Sequence, residues 1–96
     1  MKSKIHSLTV TNNFDFPITL WLEPWGRDYT LRAKETFEIE AASADQNFDL
    51  NYLLTKKSYI IYAHGNCDYV VVMQNGKPLN CGHNRDLIVC SLISEI

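Results

Sequence analysis

The sequence predicts an all-β domain, a single small antiparallel β-sandwich of about seven to nine short strands spanning residues 1–96. Three observations predict it. Apolar residues recur with a period of two. Turn dipeptides built from Gly and Asn interrupt the apolar runs at short intervals. β-Branched and aromatic residues dominate the runs themselves. A chain of 96 residues suits one modest core, with roughly 60–65% of its unfolded surface buried.

Taken in order, "SLTVTN" reads as a strand with Leu8 and Val10 inward and His6 on the same parity near its edge. "PITLWLEPWGRDY", Pro17 to Tyr29, reads as a hairpin around Glu23-Pro24-Trp25-Gly26, which fits a type I turn with Pro second and Gly fourth. A three-residue loop would put Leu20 opposite Thr30 and mix apolar with polar partners. A two- or four-residue loop joins Leu20 to Tyr29 or Leu31 and keeps the apolar face continuous, so that register is expected. Ile18, Leu20, Leu22, Tyr29 and Leu31 then face the core. Trp21 falls on the other side with Thr19, Glu23 and either Asp28 or Thr30, and Trp25 sits in the turn.

"TFEIEA" alternates cleanly, with Phe37, Ile39 and Ala41 inward and Thr36, Glu38 and Glu40 outward. "ASADQN", Ala42 to Asn47, reads as a surface connection. "FDLNYLL" places Phe48, Leu50, Tyr52 and Leu54 on one face. Beyond it, Gly65-Asn66 and Asn75-Gly76 both read as two-residue hairpin loops. Residues 58–83 therefore predict a three-stranded meander, with Tyr62 facing Tyr69, Val72 facing Leu79, and Asp68 facing His83. Its middle strand, "DYVVVM", is apolar on both sides and needs a cover on each, or uses one side for binding. "RDLIVCSLISEI" supports a strand by its β-branched residues. It also supports a short helix, with Asp86 as N-cap and Ile88, Val89, Leu92, Ile93 and Ile96 as an apolar stripe. The strand reading is preferred.

The hydrophobic fraction is 46% and the charged fraction 21%, values ordinary for a globular protein in water. Net charge is −2 and the basic side chains are scattered, which argues against nucleic-acid binding. The start, "MKSKIHSLTV", has no apolar h-region, and no apolar run reaches the ~18 residues of a membrane span; neither secretion by a standard signal nor membrane insertion is expected. Three cysteines, an odd number, fit a reduced cytoplasmic setting with free thiols better than a disulfide framework.

Several groups could carry chemistry. His64, Cys67, Cys81 and His83 gather at one end of the expected meander, and thiolate with imidazole suits zinc or copper. Their pairing places His64 and Cys67 on one sheet face and Cys81 and His83 on the other, so no metal and no cofactor is expected. The same pairs could form a Cys–His nucleophile, but neither has an orienting acid or oxyanion donor at a defined spacing. No nucleophile elbow, phosphate loop or dinucleotide fingerprint is present. The chain is expected not to be an enzyme.

The segment "PITLWLEPWG" followed by Tyr29 resembles one found in small bacterial β proteins, in which a Pro-Leu/Ile-Thr strand runs into Leu-Glu-Pro-Trp-Gly. The resemblance covers roughly the first forty residues and implies a β fold without an activity. "NNFDFPITLWL" is also similar to the opening strand of the von Hippel–Lindau β domain, a sandwich that binds a peptide; the peptide-reading residues of that domain have no counterpart here.

The expected function is thus that of a non-enzymatic binding module for a protein or peptide. Its candidate contact residues are Trp21, Trp25, Glu23 and Arg27, a composition suited to a recognition surface. Strand addition at an exposed sheet edge is a second mode. The rival readings are an immunity or inhibitor protein against a toxin, a metal-binding or redox protein, and a homo-oligomer that uses the doubly apolar strand as its interface.

Overall fold

The structure is a computed structural model and describes residues 2–56 and 58–88. The described residues form eight strands: β1 (Lys4–Thr11), β2 (Ile18–Glu23), β3 (Arg27–Leu31), β4 (Thr36–Ser43), β5 (Asp49–Leu54), β6 (Ser58–His64), β7 (Tyr69–Gln74) and β8 (Lys77–Pro78). They make two four-stranded sheets, ordered β1-β4-β7-β8 and β3-β2-β6-β5. Both sheets turn their apolar parity inward. The first contributes Val10, Phe37, Ile39 and Val72 to the core, and the second Ile18, Leu20, Leu22, Tyr29, Leu31 and Ile61. Each such aliphatic side chain removed from water contributes roughly 1.5–3 kcal/mol, so this shared interior holds the sheets together. The all-β sandwich follows from the alternation that the sequence carries.

The opening hairpin takes the register that keeps its apolar face intact. Leu20 lies opposite Tyr29, Ile18 opposite Leu31 and Leu22 opposite Arg27, leaving a four-residue loop, Glu23 to Gly26. The loop contains a cis Glu23–Pro24 peptide bond, and Gly26 has φ 67°. Trp21 falls opposite Asp28 on the outer face.

The Asn75-Gly76 loop also forms as read. Met73 pairs with Pro78 and Gln74 with Lys77, and the Leu79 amide donates to the Val72 carbonyl at 2.8 Å. Asn75 and Gly76 have φ of 53° and 77°. That double positive φ is what a type I′ turn requires and what Asn-Gly supplies.

The Gly65-Asn66 hairpin is overturned. β6 pairs with β2 and β5 in one sheet, and β7 pairs with β4 and β8 in the other, so Tyr62 does not face Tyr69 and no meander forms. Gly65 has φ 101°, while Asn66 is not in the positive-φ region, so the I′ condition fails. The glycine serves a different purpose. A Cβ on it would stand 2.9 Å from Asp45 Oδ2 and 3.2 Å from the Phe48 Cα. Two crossings between the sheets touch at this point. The Asn66 amide donates to Asp45 Oδ2 at 3.2 Å, and Ser43 Oγ donates to the Asn66 carbonyl at 2.5 Å. Ala42 and Ser43, read as loop, are buried residues at the end of β4, which shortens the surface connection.

The sandwich is not purely antiparallel. β2 and β6 run parallel at the centre of the second sheet, with Leu20 opposite Tyr59 and Trp21 opposite Ile60. Between them the chain passes through the other sheet, so β6 re-enters in the direction of β2.

Asn12 ties two more crossings together. It is fully buried, and its Nδ2 donates to the carbonyls of Phe16 (2.8 Å), Arg32 (3.0 Å) and Leu31 (3.3 Å). Its Oδ1 accepts the Phe14 amide at 2.9 Å. One amide side chain thus satisfies backbone groups from both connections flanking the opening hairpin.

Residues 85–88 form a helical turn. It begins before Asp86, so Asp86 does not cap it, and the preferred strand reading does not hold there. The rest of that expectation, residues 89–96, lies outside the described residues.

Candidate functional site

Two surfaces stand out, on opposite flanks of the second sheet. The first is built by β2, β3 and the loop after β8. Trp21 (38% exposed) points out from β2, and Trp25 (42%) stands in the turn. The Arg27 guanidinium lies 5.7 Å from the Trp25 ring centroid, a cation–π arrangement. Glu23 is half-buried at the end of β2. All four expected contact residues therefore sit on or beside one turn, outside the core row.

Sequence reasoning missed what closes this flank. The stretch 80–85 lies along β3 and covers its outer edge. The Gly82 amide donates to the Asp28 carbonyl at 2.6 Å, and the Thr30 amide donates to the His83 carbonyl at 2.8 Å. His83 forms a parallel bridge to Tyr29, and its ring packs edge-on against Phe37 at 5.8 Å. Arg85 Nε donates to Asp28 Oδ2 at 2.8 Å and Nη2 to Oδ1 at 2.5 Å. Those bonds hold the Asp28 carboxyl below its usual range, although burial pushes the other way. Cys81 Sγ lies 3.6 Å from Asp28 Oδ1.

The candidate metal and nucleophile residues do not assemble. Cys81 and His83 pack on β3, while His64 and Cys67 flank the crossing at Gly65; among the described residues, no three His, Cys, Asp or Glu side chains are placed to hold a metal ion. Asp68 does not face His83; its amide donates to the Ala42 carbonyl at 2.7 Å, and Ser3 Oγ donates to its carboxylate. Burial pushes the Cys67 thiol up, with the Asp68 charge adding to it, the opposite of what an attacking thiolate needs.

The second surface is the side where β5 and β1 meet, each the terminal strand of its sheet. β5 continues the inward parity of the sandwich through Leu50, Tyr52 and Leu54, and Leu50 packs against the core while Tyr52 and Leu54 stay exposed. Tyr52 is 59% exposed, and its neighbours Leu53 and Leu54 are 53% and 45% exposed. A groove of about 310 Å³ runs between the two edges, lined by Leu8, Val10, Thr11, Asn13, Tyr52 and Tyr59. The Tyr59 hydroxyl donates to the Thr11 carbonyl at 3.1 Å and fixes the groove floor. The alternation in "FDLNYLL" placed Leu50, Tyr52 and Leu54 on one face but gave no sign that Tyr52 and Leu54 would be exposed.

The outer faces of β7 are only half covered at Val71 and Met73, while Val72 is fully buried. No helix among the described residues is long and apolar enough to cross a membrane. The chain matches no protein-family model, no curated protein and no solved structure.

Proposed function

We propose that the protein is a non-enzymatic binding module that captures an extended peptide segment by adding it as a strand to the free edge of β5. The observation that supports this reading is the edge itself: among the described residues β5 pairs only with β6, and it presents Tyr52, Leu53 and Leu54 to solvent beside the β1 groove. An edge strand offers a row of backbone donors and acceptors, and domains that do not use such an edge blunt it with charge, proline or a covering loop. The other flank of this sheet is blunted in that way by the stretch 80–85, whereas β5 carries no proline or basic side chain. Main-chain pairing would supply affinity, and the groove would select alternate apolar side chains. An inhibitor or immunity role would be a special case of the same surface, distinguished by the partner.

The test is selection of random peptides on the immobilised protein, followed by mapping of amide shifts on the isotopically labelled chain. Selected peptides should alternate apolar and polar residues, shift β5 amides, and lose binding to Tyr52→Lys and Leu54→Lys. Peptides that bind these variants undiminished, or that shift Trp25 and Arg27 instead, would move the function to the other flank.

A further inference from the structure

The seam between β1 and β5 changes character along its length. Two contacts fix the direction in which its strands run. His6 packs edge-on against Phe48, with ring centroids 4.9 Å apart, just before β5 begins. At the far end Tyr59, the register partner of Leu54, donates its hydroxyl to the Thr11 carbonyl at 3.1 Å. β1 and β5 therefore point the same way across the seam. Val10, Leu8, His6 and Lys4 share one parity of β1, and their cover falls in that order: Val10 is buried, Leu8 and His6 are half-buried, and Lys4 is exposed. The groove beside Tyr52 is apolar, and its continuation past His6 is basic.

That continuation is an open cavity of about 450 Å³, with Lys2, Lys4, His6, Ser43 and Asp45 in its lining. The carboxylates nearby are engaged elsewhere. Asp45 Oδ1 accepts the Asn47 amide at 2.9 Å and Oδ2 the Asn66 amide at 3.2 Å. Asp49 stands on the outer parity of β5, where its Oδ2 accepts from Asn51 Nδ2 at 2.8 Å, and Asp68 accepts from Ser3 Oγ. Among the described residues, neither Lys2 nor Lys4 is in an ion pair. The two lysines also blunt the β1 edge at this end, which leaves β5 as the strand to be extended.

We propose that the segment added to β5 carries acidic side chains toward its C-terminal end, and that Lys2 and Lys4 bind them. This proposal rests on strand addition at the β5 edge and names the chemistry and direction of the partner: an apolar, then acidic peptide, antiparallel to β5. β5 runs away from the basic cavity, so a strand antiparallel to it runs toward that cavity, and antiparallel pairs are the commoner kind. Phe48 and Tyr52 are on one parity and ~13 Å of strand apart. An acid placed about four to six positions after the apolar residue beside Tyr52 therefore reaches the lysines. Because Lys2 and Lys4 are exposed, their attraction is felt most at low salt.

The test selects peptides at low salt on the immobilised full chain, from a random library fused at its C-terminus so that no terminal carboxylate is free. Peptides that shift β5 amides should carry Asp or Glu on the C-terminal side of their apolar positions. Lys2→Glu with Lys4→Glu should weaken them about tenfold at low salt and less than about threefold at about 0.5 M salt. The same variant should prefer peptides in which lysine replaces the acids, a gain that misfolding could not produce. Lys77→Glu, on β8 at the other edge of the first sheet, should change affinity by less than about twofold. Peptides that shift β5 amides but show no acidic preference, carry their acids at the N-terminal side, or tolerate amides in place of the acids would overturn this proposal and leave strand addition standing. If no selected peptide shifts a β5 amide, strand addition falls and this proposal falls with it.

Discussion

Asp28 and Arg85, 57 residues apart in sequence, are joined by two hydrogen bonds on the outer face of β3, with the carboxylate nearly enclosed and the guanidinium more than half exposed. The pair anchors the stretch that seals the edge of the second sheet. Because Arg85 holds the Asp28 carboxyl below its ordinary value, the pair's contribution is complete above about pH 4 and is lost as pH falls through the depressed folded value. Asp28→Asn should cost about 1–2 kcal/mol near neutrality, discounted for the solvent on the Arg85 side. Thermal melts of the two proteins should converge as the pH drops from 4 toward about 2. A gap that stays constant over that range would mean that Asp28 acts by shape and not by charge.

Asn12→Ala should be among the most damaging polar substitutions. It leaves the carbonyls of Phe16, Leu31 and Arg32 without their donor and the Phe14 amide without its acceptor. A loss of about 2–4 kcal/mol in urea unfolding is expected. A cost below about half a kcal/mol would show that water replaces the side chain.

The glycines separate two kinds of cost. Gly26 and Gly76 have positive φ but open space around a new Cβ, so Gly→Ala there should cost about 1 kcal/mol, the penalty of the left-handed backbone alone. Gly65→Ala adds a clash with Asp45 and with the backbone of Phe48 and should cost at least twice as much. Equal losses at Gly65 and Gly76 in denaturant titrations would remove the close approach as a constraint.

Trp25→Ala should leave the melting temperature within a few degrees of the parent, because the residue is 42% exposed and its ring stacks on the surface side chain of Arg27. Leu22→Ala, at the other end of the same turn but fully buried, should cost about 2–5 kcal/mol. Differential scanning calorimetry on the two variants checks the contrast.

Which features were legible follows from how locally each is decided. The β2–β3 register was readable because a slip by one residue would have turned Ile18, Leu20 and Leu22 into water. Asn75-Gly76 was readable because both residues take the backbone angles that the dipeptide favours. Gly65-Asn66 offered nearly the same signal, yet its glycine is demanded by a neighbouring crossing that local sequence does not mention. The parallel contact of β2 with β6, the enclosure of Asn12 and the Asp28–Arg85 pair all depend on partners that sequence spacing cannot name. The candidate residues divided the same way. Trp21 could be placed outside the apolar row by parity, and Trp25 by its position in the turn, but whether either was covered could not be read. The two Cys–His pairs were already divided between the faces of the expected meander, but their places, at the Gly65 crossing and along β3, depend on β6 and β7 lying in different sheets.

The parallel contact at the centre of the second sheet also sets an order of assembly. Leu20 finds Tyr59 as its second neighbour only after the chain has travelled through β3, β4 and β5. Contacts of such long sequence separation place folding on the scale of milliseconds to seconds, slow for a chain of this size. During synthesis the β2 edge of the opening hairpin must wait, its backbone groups unpaired, until β6 has left the ribosome. A fragment that stops before β6 therefore holds a hairpin with no sheet to join, and cutting the gene there would yield a sticky peptide instead of a smaller domain.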